Sequence, residues 1–125
     1  FFSDRALHYP RKIDDKALSD MNEAAKAFVG KYDFAAYMAS GSDIKDTVRT
    51  VFDAEVTREG DFVIFKVSAD GFLYNMVRIF TGTLLAVAEG KIAPRDIVDI
   101  TMSKDRKKAG MTAPARGLYL NRVVY

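Results

Sequence analysis

One arginine stands alone in a long apolar stretch of the sequence. Residues 71–88 read G-F-L-Y-N-M-V-R-I-F-T-G-T-L-L-A-V-A, and Arg78 is their single charged residue. Apolar side chains recur there at the 3.6-residue spacing of a helix. They are Leu73, Met76, Val77, Phe80, Leu84, Val87 and Ala88. The remaining positions are neutral, so we predict a helix that is buried on most sides.

A guanidinium in such a helix needs a partner. Arginine does not lose its proton in a protein, and leaving its charge buried and unpaired costs about 3–5 kcal/mol. No acid lies within residues 71–88, and Asp33, Asp46 and Asp53 are the candidates elsewhere in the chain. An arginine–carboxylate pair is either a structural ion pair or part of a catalytic site in which the arginine keeps an aspartate ionised. The residue pattern alone leaves both readings open.

A basic set of residues lies near the C-terminal end of the sequence. It consists of Lys104, Arg106, Lys107, Lys108 and Arg116. Such charges at the end of a helix can be solvated and have no further role. They can also contact the phosphates of RNA, through charge and without reading bases.

Other catalytic chemistries find little support. The chain has no cysteine and a single histidine, His8, so a zinc site lacks ligands. Ser-His-Asp catalysis would have to use this histidine, which lies in the irregular lead-in. Asp14 and Asp15 form a carboxylate pair, but they stand where a helix favours negative charge. The glycines form no phosphate-binding pattern. The residues therefore give little support for a metal site or a phosphate-binding loop.

The composition fits a compact domain or a piece of a larger one. The 125 residues are 49% hydrophobic and 12% aromatic, with a net charge of +2 and an isoelectric point near 8.8. This mild basicity permits nucleic acid binding without requiring it. We predict no signal peptide, because the sequence opens F-F-S-D-R and not with a basic region and an apolar run. We predict no membrane span, because Arg78, Asn75 and Gly82 interrupt the apolar stretch. The lack of cysteine fits a reducing cytoplasm. Since the sequence does not begin with methionine, we expect a fragment.

Helix signals recur along the chain. Residues 1–12 read as an irregular or extended lead-in, after which Asp14 is the predicted N-cap of a helix that Gly30 ends. Residues 31–42 read as short and partly helical. After the buried helix, which Gly90 closes, Pro94 starts another helix over residues 94–103, with Ile97, Val98 and Ile100 as its apolar positions.

Strand signals fall in two places. Residues 47–57 and 61–69 alternate around a Glu59-Gly60 turn and predict an antiparallel hairpin. The first strand is expected to place Val48, Phe52, Ala54 and Val56 on one face. Residues 118–125 predict a final strand. The order is α-β-β-α-α-β, which predicts an α+β fold with helices packed on a mostly antiparallel sheet.

Three stretches together resemble a known family. They are G-K-Y-D-F-A-A-Y at 30–37, F-L-Y-N-M-V-R at 72–78 and A-P-A-R-G-L-Y-L at 113–120. In this order and spacing they resemble the C-terminal half of the tRNA pseudouridine synthase A family, which isomerises uridine in the tRNA anticodon arm. The M-V-R and A-P-A-x-G-L-x-L elements are quite specific in combination, and the resemblance covers nearly the whole chain.

The resemblance implies half of a split active site. The family's nucleophile is an aspartate in an R-T-D-x-G motif of the N-terminal half, and this sequence has no such motif. Carried over by the resemblance, Arg78 pairs with that aspartate, and Leu118 is an apolar wall of the base pocket. The basic set becomes a tRNA-backbone surface. The resemblance also implies a homodimer without metal or cofactor, with residues 1–125 as the C-terminal part of the catalytic domain and inactive alone.

Two other functions remain open. A non-catalytic RNA-binding domain of the same fold would pair Arg78 internally, so that its loss would lower stability without affecting chemistry. A structural or dimerisation module would show no salt-dependent affinity for tRNA. An R-T-D-x-G segment upstream in the full-length protein would favour the enzyme.

Overall fold

A five-stranded antiparallel sheet organises the part of the chain that the structure describes. The computed structural model describes residues 2–7, 14–39, 45–59, 62–73, 75–110 and 118–124, of which 2–7, 59, 62 and 118–124 are described through the backbone only. The strands are β1 Phe2–Leu7, β2 Gly30–Asp33, β3 Val48–Glu59, β4 Phe62–Ala69 and β5 Leu118–Val124. Their order across the sheet is β2-β3-β4-β1-β5.

Three α-helices and three 3₁₀ turns accompany the described strands. The helices are α1 Asp15–Lys26, α2 Met76–Ala88 and α3 Ile97–Ser103. The turns are Ala35–Tyr37, Pro94–Asp96 and Arg106–Lys108. The predicted α+β class with an antiparallel sheet is confirmed. The predicted element order is incomplete, because β1 and β2 add strands before and after α1.

The two additional strands have weak local signals. β2 is a four-residue strand, too short for alternation to show. β1 lies between β4 and β5, with Phe2 opposite Ser68 at one end and Leu7 opposite Val63 at the other. These pairings join residues some sixty positions apart, so local sequence does not reveal them.

The first helix begins as predicted and ends earlier. The Asp14 carboxylate accepts a hydrogen bond from the Ala17 backbone N–H at 2.7 Å, which caps α1. The helix ends at Lys26, so Gly30 does not end it. Gly30 instead opens β2 at φ +133°, where an added Cβ would lie 2.8 Å from the Tyr32 ring. Glycine suits that backbone conformation because it has no Cβ.

The β3–β4 hairpin is confirmed, but its predicted face is correct only beyond a bulge, where Ala54 and Val56 are buried, while Val48 and Phe52 are exposed. Val51 lies opposite Ala69 and Asp53 opposite Ser68, so a β-bulge leaves Phe52 without a partner in the ladder. The bulge shifts the alternation by one residue. Val51 is buried and Phe52 is 59% exposed, whereas Ala54 is buried as predicted.

A cluster of aromatic rings packs α2 against the rest of the core. Phe80 is fully buried and stacks on Phe28, with ring centroids 4.0 Å apart and planes 13° apart. Tyr37, Phe34 and Phe65 meet the same ring edge-on at centroid distances of 4.9, 5.7 and 6.4 Å. Edge-on and offset rings are favourable arrangements for aromatic pairs. Phe80 therefore fixes α2 two residues after Arg78.

The helix predicted over residues 94–103 forms in two parts. Residues Pro94–Asp96 make a 3₁₀ turn, and α3 continues over Ile97–Ser103. Ile97 and Ile100 are buried as predicted, while Val98 is 43% exposed. Thr101 is the third buried position, so the buried face of α3 follows the i, i+3, i+4 rule from Ile97.

Candidate functional site

The chain reaches Arg78 through a sharply turned connection. At the end of β4 the Asp70 carboxylate accepts from the Thr50 N–H at 2.9 Å, and the Asp70 N–H donates to the Thr50 carbonyl at 3.0 Å. Asn75 then adopts the left-handed conformation at φ 58° and serves as the N-cap of α2. Asparagine is one of the few non-glycine residues that tolerate this region. The helix therefore starts at Met76, five residues after the predicted start.

Arg78 is the third residue of α2. Its neighbours Val77 and Ile79 are buried, while Arg78 is half-buried and has an interaction within this chain. Because Arg78 lies in the first turn, its position is fixed by the cap at Asn75 and by Phe80 in the core. The apolar helix is confirmed, with Leu84 and Val87 also buried.

The three candidate carboxylates each have other contacts. Asp33 accepts from the Thr47 hydroxyl and from the Ala35 N–H, and lies 3.8 Å from the Lys104 ammonium. Asp46 accepts from the N–H of Val48 at 3.1 Å. Asp53, on the bulge, forms an exposed ion pair with Lys26 at 3.7 Å.

The described basic residues are not equivalent. Lys104 ends α3 in the left-handed conformation and forms the ion pair with Asp33. Lys107 and Lys108 are exposed in the 3₁₀ turn. Arg106 is partly buried, and its Nη1 donates to the Gly110 carbonyl at 2.8 Å. Arg106 thus supports the backbone, which leaves Lys107 and Lys108 as the more accessible cations of this turn.

Two predicted site residues lie partly or wholly outside the described residues. Arg116 is outside them altogether, as is His8. The backbone of Leu118 is described as the first residue of β5, paired with Leu7 of β1. It therefore begins the strand as predicted, and its side chain is not part of the description.

Sequence reasoning missed a polar contact between α2 and the segment before β5. The Thr83 hydroxyl accepts from the Gly110 N–H at 2.9 Å, and Thr83 is fully buried. The signal in the sequence was a threonine inside an otherwise apolar helix. Such a residue can bond its own helix, as Thr81 does to the Val77 carbonyl, so the pattern does not reveal a distant partner.

A second missed contact holds the 3₁₀ turn Ala35–Tyr37 on α3. The Tyr37 hydroxyl lies 2.9 Å from the Thr101 Oγ1 in the core. Burial raises the pKa of Tyr37 to about 12, and the hydrogen bond to Thr101 acts in the opposite direction. Tyr37 is therefore neutral at physiological pH and acts in packing.

The described ranges contain neither a metal-binding group nor a membrane-spanning helix. No group of three or more His, Cys, Asp or Glu side chains among the described residues could hold a metal ion. No described helix is both long and apolar enough to span a bilayer.

Comparisons with known proteins agree on one family. The sequence profile described as tRNA pseudouridine synthase matches residues 24–125. The tRNA pseudouridine synthase A of Thermoanaerobacter sp. strain X514 is 46% identical over 119 residues, which are 95% of this chain and 47% of that protein. The Acetivibrio thermocellus protein of the same name is 48% identical over 121 residues, 97% of this chain and 48% of its own. The Clostridium tetani tRNA pseudouridine synthase A 2 is 49% identical over 112 residues, 90% and 45% respectively.

The match covers most of this chain but only part of each relative. The chain spans about half the length of the curated relatives that it matches. The profile match includes α2 with Arg78, the basic turn and β5 with Leu118. Since the profile matches residues 24–125, the chain belongs to the tRNA pseudouridine synthase family.

Proposed function

We propose that this chain is the C-terminal part of the catalytic domain of a tRNA pseudouridine synthase of the A type. The full-length enzyme converts uridine to pseudouridine in the anticodon stem-loop of tRNA, and this chain supplies half of the active site. The observation that carries the proposal is the family match over residues 24–125, which includes an arginine held in the first turn of a core helix. The antiparallel sheet and the helices packed on it are then half of the synthase domain.

The reaction moves one bond on the uridine. The bond between uracil N1 and the ribose C1′ breaks, the base turns, and a bond forms between C5 and C1′. The C5 proton leaves to solvent, and N1, which has lost its bond to the ribose, takes up a proton, so atoms and charge balance. An aspartate of the N-terminal half does nucleophilic work at the reacting centre.

Arg78 serves that aspartate. A guanidinium beside a carboxylate favours its ionised form and fixes its orientation. The half-buried position of Arg78 in the first turn of a core helix suits this role. Arginine retains its charge throughout because it does not titrate in the working pH range.

The target base and the tRNA backbone use other parts of the chain. The uridine leaves its stack to be reached, which requires an apolar pocket and a basic surface around it. Leu118 lines the pocket. Lys104, Lys107, Lys108, Arg106 and Arg116 contribute to the basic surface, with Lys107 and Lys108 contacting phosphates most directly because they are exposed.

The wider context follows from the same proposal. The enzyme acts as a homodimer on tRNA and uses no metal or organic cofactor. It works in the cytoplasm, which agrees with a sequence that contains no cysteine.

The experiment is tritium release from tRNA labelled at C5 of uridine. The full-length protein is expected to release tritium, and the 125-residue chain alone, without the nucleophile, is expected to release none. A folded full-length protein that binds tRNA in a salt-dependent way but releases no tritium would refute the enzymatic proposal and favour an RNA-binding module. Release by the isolated chain would refute the split-site assignment.

A further inference from the structure

The segment that leads to β5 touches helix α2 at a defined point. Gly110 is buried, and its N–H donates to the Thr83 Oγ1 at 2.9 Å. Its carbonyl accepts from the Arg106 guanidinium at 2.8 Å. Both backbone polar groups of Gly110 are therefore satisfied by side chains, as a buried peptide requires.

The contact requires glycine at this position. A Cβ added to Gly110 would lie 2.5 Å from the Thr83 Cα and 2.6 Å from the Thr83 backbone nitrogen. These are atoms of the helix backbone, so they cannot rotate away as a flexible side chain would. Any larger residue at position 110 must move the segment away from α2.

The Thr83 hydroxyl makes two hydrogen bonds in this arrangement. It donates to the Ile79 carbonyl at 2.8 Å and accepts from Gly110. A hydroxyl offers one donor and two acceptor positions, so one group can make both contacts. Serine retains this chemistry at position 83, whereas valine keeps the shape and loses it.

We propose that Thr83 and Gly110 are positioning residues, which fix the place of the 3₁₀ turn Arg106–Lys108 relative to the helix that carries Arg78. This inference rests on the proposed function. Thr83 lies five residues after Arg78, about 7.5 Å along the helix at 1.5 Å per residue. The Gly110 carbonyl accepts from Arg106, the first residue of that turn. The contact therefore couples the helix that carries Arg78 with the turn that carries the exposed Lys107 and Lys108.

The test compares three threonine variants of the full-length protein. Thr83→Val is expected to lower kcat for tritium release about tenfold to a hundredfold, because displacements near 1 Å in an active site can cost about 100-fold. KM for tRNA should stay within about twofold, since Lys107 and Lys108 keep their charges and their number of phosphate contacts. Thr83→Ser should restore kcat. Thr81→Val is the matched control: Thr81 is also buried on α2 and bonds its own helix, at the Val77 carbonyl.

A second variant and an independent readout complete the design. Gly110→Ala should lower kcat at least as much as Thr83→Val. In Thr83→Val, hydrogen exchange at the Gly110 amide should become faster. Rates are divided by the folded fraction from circular dichroism, so that a loss of structure is not read as a loss of catalysis.

The outcomes separate this inference from the proposed function. An active wild-type protein in which Thr83→Val and Gly110→Ala both match Thr81→Val in kcat would overturn the inference alone. So would a fall in kcat that follows only the folded fraction. A folded wild-type protein that releases no tritium would overturn the proposed function and this inference with it.

Discussion

Replacing Phe80 by alanine should remove a large part of the stability that fixes α2. Phe80 is fully buried and touches four aromatic rings, with the closest, Phe28, stacked at 4.0 Å. Truncation of a buried phenylalanine costs about 3–5 kcal/mol. Because Phe80→Ala also removes the stacked and edge-on ring pairs, its cost should lie at the upper end, about 5 kcal/mol. The free energy of unfolding of a typical domain is about 5–15 kcal/mol, so this one substitution would remove a large share of it.

The control is another phenylalanine of the same chain. Phe52 is 59% exposed at the β3 bulge, and Phe52→Ala should cost less than about 1 kcal/mol. Urea unfolding followed by far-ultraviolet circular dichroism gives both values. If Phe80→Ala does not fold, Phe80→Leu should still cost about 2 kcal/mol, from three buried carbon atoms at about 0.8 kcal/mol each. Equal losses for Phe80→Ala and Phe52→Ala would refute the packing described for α2.

Three further predictions concern the cap, the buried tyrosine and the basic turn. Asp14→Ala should lower the free energy of unfolding by about 1 kcal/mol in urea titrations, because α1 loses its N-cap acceptor. The pKa of Tyr37 is raised from 10.0 to about 12. The contribution of the neutral Tyr37 side chain to the free energy of unfolding is therefore complete below pH 10 and is lost as pH rises through 12. Over that interval the wild type should lose up to about 3 kcal/mol more stability than Tyr37→Phe, in urea titrations at each pH. Lys107→Gln and Lys108→Gln should each make the dependence of tRNA affinity on salt less steep. In filter binding, the magnitude of the slope of log affinity against log salt should fall by about 0.7–0.9 for each variant. Unchanged slopes would exclude phosphate contacts at these two lysines.

Much of the helical part of the fold could be predicted from local sequence. Asp14 before an amphipathic stretch and Pro94 at a helix start are signals that act within a few residues. The β3–β4 hairpin was also predictable, because two alternating stretches of sequence flank the turn signal Glu59-Gly60. The apolar environment of Arg78 followed from a count of charges in residues 71–88.

The errors arose where distant parts of the chain decide the structure. The pairing of β1 with β4 joins segments about sixty residues apart, which no local pattern records. The bulge at Phe52 shifts the buried face by one residue, and alternation alone cannot place a bulge. The contact between Thr83 and Gly110 depends on the close approach of two backbone segments that are separate in the sequence. The sequence around either residue therefore does not predict the contact.

The residues of the proposed site differ in the kind of sequence signal that predicts them. The resemblance led to Arg78 and Leu118 through short motifs whose residues are close in sequence. The basic set was predicted from charge alone, which does not distinguish a partly buried cation from an exposed one. The structure makes that distinction, since Arg106 supports the Gly110 carbonyl while Lys107 and Lys108 are exposed.

The central claim is that Arg78 serves the reacting centre, and single-turnover tritium release tests it most directly. The measurement uses full-length protein in excess over C5-labelled tRNA, with tRNA affinity and folded fraction measured separately. Arg78→Ala should slow release by about 100-fold to 1,000-fold, the cost of removing one preorganised electrostatic partner, while tRNA affinity changes little. Arg95→Ala, an exposed arginine beside α3, should match the wild type. A folded Arg78→Ala protein that releases tritium within a fewfold of the wild-type rate would contradict the account.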